Sequence, residues 1–591
     1  MWYNSSGDIM RISISKSKNA ENIYIIKSLT VNGKRTSKTI ASLGNMATLM
    51  QKHDLDREGV LAWARKQAEI LTKQEVKENE TFLIPFSSRK QLTMDKRRTF
   101  HGGYIFLKKI LKELSLNQIC DDISSNHHFK FDLTAVLSTL IFTRILNPSS
   151  KKASFEIASD YLEPPGFDIQ HVYRALDVIA KDKDKIEAMM YHNSAKVIKR
   201  NTGVLYFDCT NFFFEIDEAG GLKQYGKSKE NRPNPIVQMG LFLDGNGIPL
   251  SFCINPGNTN EQTILRPHEA RMLKDFEMSK CIICTDAGVA SKDNRLFNMV
   301  GGRSYIVTQS LKQIKKYLKE WALDDSGWFY HSKDGIVGGI NLSELNEKDE
   351  TGKINKKVFN RTYYKERWYI EDGLEQRLIV SYSPKYREYQ EKIRNGQVER
   401  ADRMIKKGTQ RKGKNQNDPA RFIIETKTTP TGEIAEEVYK TLDGNKINEE
   451  AKYDGFYAVC TTLQDDVAEI IKINRRRWEI EESFRIMKSE FKARPVHHWR
   501  DDRITAHFMT CFLSLLVYRL LEQKLDEKYT IHEIISTLQT MNFLHCEGQG
   551  YIPTYTRTPL TDDLHDILGA RTDTEIVSEK NMKKILNSLK L

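Results

Sequence analysis

The chain has 591 residues, with 91 lysines and arginines against 79 aspartates and glutamates, which gives a formal net charge of +12. Its 39% hydrophobic and 29% charged residues exclude the collagenous, low-complexity and disordered classes and are typical of a large soluble protein. The positive charge is compatible with a polyanionic partner but is too modest to require one.

Nothing in the sequence predicts export or membrane insertion. The eight cysteines indicate no disulfide framework in a chain of this length. The first residues lack the basic and apolar regions of a signal peptide, and the longest apolar stretch, Phe508–Val517, is about half of what a bilayer span needs. We therefore expect a reduced, cytoplasmic protein without a membrane partner.

The N-terminal third divides into two predicted regions. Alternating apolar residues on either side of Asn32-Gly33 predict a β-hairpin, so residues 1–95 are expected to form a β-rich unit followed by a linker. Residues 96–200 carry helical periodicity. A DNA-binding helical bundle and a plain helical support domain explain this second region equally well.

The pattern changes at Gly203, where strand-like runs begin. Three consecutive strands are predicted over VLYFDCTNFFFEI, PIVQMGLFLD and IPLSFCINPG. A helix follows over EQTILRPHEARMLKDF, and two further strands over KCIICTDAG and RSYIVTQS. Residues 201–310 are therefore expected to form the first part of a mixed α/β domain.

Residues 311–455 interrupt this rhythm with short alternating runs and are predicted to be a β-rich insertion. Within it, residues 385–414 contain eleven lysines and arginines and four acidic residues. A solvated surface and a DNA-contacting surface are both compatible with such a run. The DNA-binding candidates here are Lys406, Lys407, Arg411 and Lys412.

The α/β pattern resumes over residues 456–530, with a strand at FYAVCTTL, one long helix through DDVAEIIKINRRRWEIEESFRIMKSEF and a second helix at about 502–524. Residues 531–591 are predicted to be a C-terminal support.

Two aspartates lie in apolar strands of the predicted α/β domain. Asp208 lies inside VLYFDCT, and Asp286 ends CIICTD. An ionised carboxylate is costly to bury among apolar side chains unless it is paired or holds a metal. A satisfied structural aspartate is the alternative for each. The nearby Cys281 and Cys284 lie inside a strand without a second cysteine pair, which disfavours a metal role for them.

The long helix places five polar residues on one stripe. These are Asn474, Arg477, Glu481, Arg485 and Lys488. An exposed ladder of ion pairs is one interpretation. The other is that Glu481 converges with Asp208 and Asp286 into a cluster of three carboxylates, which would bind two Mg²⁺ or Mn²⁺ ions and catalyse phosphoryl transfer.

At these residues the chain resembles the DDE transposases of bacterial insertion sequences, in particular the large subgroup with a β-rich insertion between the second aspartate and the glutamate. Four stretches carry the resemblance: YFDCTN, YGKSKENRPNPIVQMGLFLDGNGIPLSFCINPGNTNE, TDAGVASKDN and RRWEIEESFRIMK. Arg477, Glu481 and Lys488 match the spacing of the last family motif, whereas Asn474 occupies its tyrosine position. The same spacing favours Glu481 over Glu482.

The resemblance implies a ribonuclease H-like α/β catalytic domain interrupted by the insertion, with a β-rich unit and a helical domain N-terminal to it. Asp208, Asp286 and Glu481 would hold two Mg²⁺ or Mn²⁺ ions. Arg477 and Lys488 would grip phosphates, with Arg485 assisting. The implied partner is double-stranded DNA, comprising terminal inverted repeats and target, bound by a homodimer in a bacterial cytoplasm. An aromatic of the insertion, with Trp321, Trp328 and Trp368 as candidates, would stack on a base.

The implied reaction is cleavage at the element ends followed by strand transfer into target DNA. Two other hypotheses stay open: a catalytically inactive, transposase-derived DNA-binding protein, and a metal-dependent nuclease on the same fold.

Overall fold

The computed structural model describes residues 10–17, 20–31, 34–78, 84, 88–89, 91–348, 352–408, 417–428 and 434–591. The chain divides into two compact units. The first comprises residues 1–96 and 546–549, and the second comprises residues 97–545 and 550–591.

The first unit is a three-stranded antiparallel sheet with two helices. Its elements are β1 (Arg11–Ser17), β2 (Ala20–Val31), β3 (Lys34–Asn45), α1 (Met46–His53) and α2 (Arg57–Glu78). Strands β2 and β3 pair as far as Val31 opposite Lys34. The predicted turn at Asn32-Gly33 and most of the predicted linker lie outside the described residues. Ile23, Met46 and Val60 form the centre of a small core.

The second unit begins with a short strand and six helices. These are β4 (Thr99–His101), α3 (Tyr104–Glu113), α4 (Leu116–Ser125), α5 (Leu133–Leu146), α6 (Lys151–Ala158), α7 (Ile169–Lys181) and α8 (Lys183–Val197). Within the predicted helical region, Asp182 ends α7 and begins α8.

A large mixed sheet follows. Its first elements are β5 (Val204–Phe213), β6 (Ile236–Asp244), β7 (Pro249–Pro256), α9 (Glu261–Asp275), β8 (Ile282–Thr285), α10 (Lys292–Phe297) and β9 (Ser304–Thr308). Strands β5, β6 and β7 form an antiparallel meander, whereas β8 pairs parallel to both β5 and β9. The strands predicted over residues 204–308 are therefore confirmed as one sheet.

The region predicted to be a β-rich insertion is more helical than expected. Its elements are α11 (Lys316–Leu323), β10 (Trp328–Ser332), β11 (Gly335–Ile340), α12 (Lys356–Phe359), β12 (Tyr363–Glu371), β13 (Leu374–Tyr382), α13 (Pro384–Lys406), β14 (Ile423–Thr428), β15 (Ile434–Leu442) and α14 (Gly444–Ala451). Most of the basic segment lies in α13. Ser383 caps that helix and Pro384 occupies its first turn, which is a common helix start.

The chain then returns to the sheet and to three helices: β16 (Phe456–Thr461), α15 (Val467–Arg475), α16 (Trp478–Arg485) and α17 (Asp501–Lys524). Strand β16 pairs with both β9 and β13. The complete sheet has ten strands in the order β11-β10-β12-β13-β16-β9-β8-β5-β6-β7. The predicted insertion thus extends the sheet that it interrupts.

The predicted long helix is divided. Backbone bonds of the i to i−3 type, such as Arg477 N–H to the Asn474 carbonyl at 3.2 Å, tighten the chain between α15 and α16. A π-helical turn, Ile486–Glu490, follows α16. The predicted stripe of five residues therefore does not run along one straight helix.

Helix α17 lies at the centre of the main core. Phe508 and Phe512 pack against Phe212 of β5 and Phe252 of β7, with ring centroids 4.8 and 5.1 Å apart. Among the described residues, α17 is long and apolar enough to cross a membrane, but 94% of its apolar window is buried inside the protein. Its composition is that of a core helix. The opposite face of the sheet packs against α9.

The C-terminal residues form three helices and three short strands: α18 (Ile531–Thr540), β17 (Asn542–Cys546), β18 (Gly550–Pro553), α19 (Pro559–Leu568), β19 (Val577–Ser578) and α20 (Glu579–Ser588). The strands join β4 in a small sheet of order β19-β18-β17-β4.

Candidate active site

The alternation of side chains along β5 decides where Asp208 points. Phe207 and Cys209 belong to the core beneath α9. Tyr206 faces the other way, and its hydroxyl donates a 2.9 Å hydrogen bond to the carbonyl of Ile473 in α15. Because side chains alternate along a strand, Asp208 lies on the face of Tyr206, toward α15 and α16.

Asp286 reaches the same place from the neighbouring strand. Strand β8 is parallel to β5, with Thr285 opposite Phe207, so the next residues in register are Asp286 and Asp208. Asp208 accepts a hydrogen bond from the N–H of Cys209 and Asp286 accepts one from the N–H of Ala287, both at 2.7 Å. The two aspartates are therefore neighbours at one edge of the strand pair.

Glu481 enters from the first turn of α16. The Arg477 guanidinium lies 3.5 Å from Oε1 of Glu481 and 3.8 Å from Oδ1 of Asp286. One partly buried arginine thus bridges the second aspartate and the glutamate, which are far apart in sequence. Arg477 precedes α16 directly, so the break between α15 and α16 positions this contact.

Burial dominates the electrostatics of Asp208. Desolvation raises the pKa of its carboxyl to about 6, and the charge of Asp286 also acts to raise it. Lys229, the Cys209 N–H and Arg477 act in the opposite direction. Two neighbouring carboxylates of this kind favour a cation between them.

Two lysines lie beside β5. Lys488 donates a 2.7 Å hydrogen bond to Oγ1 of Thr210, and burial lowers the pKa of its ammonium to about 8. Lys229 donates to the Cys209 carbonyl and lies 3.3 Å from Glu261. Sequence reasoning did not select Lys229, although the GKSKENRP stretch that contains it was the available signal.

Other predicted residues do not join this group. Arg485 instead lies 3.1 Å from Glu482, which also contacts the buried Arg519 at 3.3 Å. Asn474 is buried, and its amide donates to the Tyr457 hydroxyl at 2.7 Å. The five residues do not form one shared stripe. Asn474 lies in α15, before the break, whereas Arg485 lies in α16 with Glu481 but pairs with Glu482.

The basic segment is partly neutralised by nearby acids. Lys406 pairs with Asp402 at 2.6 Å, and Arg387 and Arg394 each contact an acidic residue, Glu347 and Asp454. Lys407 is exposed at the C-terminal end of α13. Arg411 and Lys412 lie outside the described residues.

The tryptophans considered for base stacking differ in exposure. Trp328 is completely buried, Trp321 is half-buried, and Trp368 is 43% exposed. None of the three lines the cavity of about 370 Å³ beside Arg477 and Glu481. The aromatic residues that line it are Tyr386, Tyr457 and Trp478.

The described residues include no preformed metal site. Within that part of the chain, no group of three or more histidine, cysteine, aspartate and glutamate side chains is assembled to hold an ion. Cys281 and Cys284 are buried free thiols, and burial raises the pKa of each to about 12. Thiols with a raised pKa are less reactive and bind metals less readily than thiolates.

Comparison with known proteins gives the context of this geometry. The profile of the family described as "Transposase DDE domain" matches residues 212–517, just over half of the chain. The chain belongs to this family of transposase DDE domains. The matched region contains Asp286 and Glu481 and begins four residues after Asp208.

Other comparisons are weaker. No curated protein matches the chain. Among solved structures, the cryo-EM structure of a piggyBac transposase synaptic complex with hairpin DNA contains a similar chain, with 9% identity and a TM-score of 0.35. That similarity spans 83% of this chain and 91% of the other.

Proposed function

We propose that this DDE-domain protein is the transposase of a bacterial insertion sequence, which cleaves DNA at the element ends and joins them to target DNA. The observation that carries the proposal is the bridge made by Arg477 between Asp286 and Glu481, directly beside the buried Asp208. These are the three acids that the sequence resemblance selects, and they come from β5, from the end of β8 and from α16.

We also propose that the catalytic domain is ribonuclease H-like. The order β7-β6-β5-β8-β9, with an antiparallel meander followed by two parallel pairings, supports this assignment. In this scheme β10–β13 are a sheet-extending insertion, residues 96–200 are a helical domain, and residues 531–591 are the C-terminal support.

The donor chemistry of the site fits a hard divalent cation. Carboxylate oxygens are the ligands that Mg²⁺ and Mn²⁺ prefer, and a cation would compensate the burial of Asp208 beside Asp286. Asp208, Asp286 and Glu481 would hold two ions, as expected for this family. When bound, the metal supplies Lewis acidity for an in-line attack of water or of a 3′-hydroxyl on phosphorus.

The remaining residues act on the DNA. Arg477 would hold a phosphate oxygen and keep Glu481 oriented toward Asp286. Lys488 would donate to a second phosphate oxygen, since a pKa of about 8 leaves its ammonium mostly protonated at neutral pH. Cations of α13, with Lys406 and Lys407, would contact the backbone farther from the acids. The protein would act as a homodimer on two element ends in the cytoplasm.

The test is a cleavage and joining assay with the full chain, Mg²⁺ or Mn²⁺, and duplex DNA that carries the inverted repeats flanking its gene. We expect Asp208→Asn to abolish cleavage and Asp217→Asn, an exposed control on the loop after β5, to retain it. Cleavage by Asp208→Asn would overturn the site assignment.

The same assay separates the alternatives. Cleavage without joining would identify a nuclease, and DNA binding without cleavage in either metal would identify an inactive DNA-binding relative. The presence of all three acids in the sequence favours the transposase over an inactive relative.

A further inference from the structure

A second polar cavity lies away from the three acids, in the same unit. Its volume is about 620 Å³, and it is formed by the start of α6, the segment before α17 and the start of α17. Its lining includes Arg144, Lys151, Lys492, His498 and His507. Because α6 begins at Lys151, its N-terminal end also favours negative charge here.

Lys151 is the most unusual residue of this cavity. Only 4% of it is exposed, yet its Nζ has no hydrogen-bond partner in the described part of the chain. Burial and then the neighbouring Arg144 guanidinium lower the pKa of Lys151 to about 7. A buried ammonium without a partner costs free energy, and an anion in the cavity would remove that cost.

Arg144 adds a second buried cation. Its side chain donates to the carbonyls of Phe491 and Ser149 at 3.0 and 3.3 Å, and its Nε has no partner among the described residues. These contacts fix the guanidinium without neutralising it. Arg144 therefore places a permanent positive charge beside the Lys151 amine, whose protonated form a bound anion would favour.

Two histidines complete the inner wall. Burial, followed by Lys151 and Arg144, lowers the pKa of His498 to about 4, and burial lowers that of His507 well below its usual value. Both imidazoles are consequently neutral at physiological pH. His507 Nε2 contacts the Ala493 carbonyl at 3.0 Å, while its Nδ1 has no partner within the described ranges.

Acidic residues contact only the arginines at the outer part of the cavity. Among the described residues, no aspartate or glutamate lines it. The rim arginines Arg500 and Arg503 share Asp177, at 3.6 and 3.7 Å, and Arg494 contacts Glu230. The structure describes no such acid beside Arg144 and Lys151, so no acidic residue in the described part of the chain pairs with these two side chains.

We propose that this cavity binds a phosphate group, with Lys151 and Arg144 as its main ligands. On the basis of the proposed function, the phosphate belongs to the backbone of the bound DNA. A free phosphate ion offers the same chemistry and is the other possible source.

The position of the cavity supports the DNA backbone as the source. Val496, in the segment that lines it, forms a bridge with Phe214, immediately after β5. Six residues of extended chain separate Phe214 from Asp208, or about 20 Å. Glu230 also links the two places, since it contacts Arg494 and lies 3.9 Å from Lys488. The segment that lines the cavity therefore meets the end of β5 at about 20 Å from Asp208, which is less than one helical turn of a DNA duplex.

The first measurement is thermal unfolding of the full chain in phosphate and in chloride at equal ionic strength. We expect about 10 mM phosphate to raise the Tm of the natural protein by roughly 2–4 °C. Lys151→Met should raise the Tm in chloride, because it removes the unpaired buried charge, and should abolish the rise in phosphate. A merely structural lysine would lower the Tm when replaced.

Two further variants control for folding. Lys492→Asn changes an exposed cavity residue at a left-handed backbone position (φ 46°) that asparagine tolerates, and it should reduce the phosphate response. Lys130→Gln changes an exposed lysine outside the cavity and should leave it unchanged. A phosphate response that is absent, or equal in the natural protein and Lys151→Met, would overturn the proposal.

The second measurement is the salt dependence of duplex binding in EDTA. For a DNA phosphate in the cavity, Lys151→Met should weaken binding about threefold to tenfold and reduce the log–log salt slope by about one. Unchanged DNA binding with a lost phosphate response would support a site for free phosphate and overturn the DNA assignment. Neither measurement uses cleavage, so a protein that fails to cleave would overturn the proposed function and leave the phosphate site standing.

Discussion

Asn474 donates a 2.7 Å hydrogen bond to the hydroxyl of Tyr457, and this contact ties α15 to β16 at the edge of the candidate active site. The same hydroxyl lies 2.8 Å from Oγ1 of Thr308 in β9, and the thiol of Cys284 in β8 donates to Oδ1 of Asn474 at 3.5 Å. Asn474 stands where the resembling family has a tyrosine. In this chain Tyr457, from strand β16, contacts the residue at that position.

We expect Tyr457→Phe to lower the free energy of unfolding by about 1–2 kcal/mol, because it leaves the buried amide of Asn474 without its acceptor. Cleavage should fall by roughly threefold to tenfold, since Asn474 also holds the turn that carries Arg477. The exposed Tyr389→Phe is the matched control and should change neither quantity. Equal unfolding curves for the two variants would contradict the proposed role of Tyr457.

Glu481 and Glu482 are adjacent but belong to different environments. Glu481→Gln should reduce cleavage by roughly a thousandfold or more, with little change in Tm, because its side chain is 62% exposed and faces Arg477. Glu482→Gln should cost about 1 kcal/mol of stability through the buried Arg519 and change cleavage less than about threefold. The two variants are compared by single-turnover cleavage and thermal unfolding, and the reverse pattern would show that Glu482 is the acid of the site.

Trp478 is 54% exposed and lines the cavity beside Glu481. We expect Trp478→Ala to weaken binding of DNA with a frayed end by about tenfold, which is the typical loss of one stacked base. Trp368→Ala, at an exposed tryptophan of β12 outside that cavity, should change affinity less than about twofold. The measurement is fluorescence anisotropy in EDTA, and a larger effect of Trp368→Ala would show that Trp368, one of the three candidates from the sequence, stacks on the DNA instead of Trp478.

Glu269 in α9 gives a pH-dependent stability. Burial raises the pKa of its carboxyl to about 7, and the side chain accepts a 3.0 Å hydrogen bond from Asn298. The folded state therefore binds more protons than the unfolded state between about pH 4.5 and pH 7, so this residue makes stability fall as pH rises through that window.

Glu269→Gln keeps the shape of the side chain and removes the titration. Above pH 7 the variant should be more stable than the natural protein, by an amount on the order of 2 kcal/mol, and near pH 4 the two should be equal. Urea unfolding at a series of pH values measures this difference. A constant difference across the series would show that Glu269 does not titrate in this window.

The sequence predicted the strands around the acids well, because apolar runs such as VLYFDCT and CIICTD end at clear turns. Asp208 and Asp286 were predictable for the same reason, since an acid is conspicuous inside an apolar strand. The pairing of β13 with β16 had no local signal, because neighbours in a sheet are set by contacts far apart in sequence. The insertion was therefore predicted as a separate region.

The helices that the sequence predicted wrongly, the long helix after β16 and α13, have a different explanation. The segment from Val467 to Glu490 contains no proline or glycine, so nothing in its composition indicates the break before Trp478 or the π-helical turn after Arg485. Helix α13 is rich in charged residues and poor in apolar ones, so its sequence shows no clear helical spacing of apolar residues. Its Ser383-Pro384 start was the signal that could have revealed it.

The pairing of β16 with β9 determines when the large sheet can be completed during synthesis of the chain. During synthesis, β5, β8 and β9 leave the ribosome early, but β16 and α16 follow only after the whole of residues 309–455. Pairings between such distant segments form late in folding. On the proposed function, a chain truncated before residue 456 would carry Asp208 and Asp286 without Glu481 and would not cleave DNA.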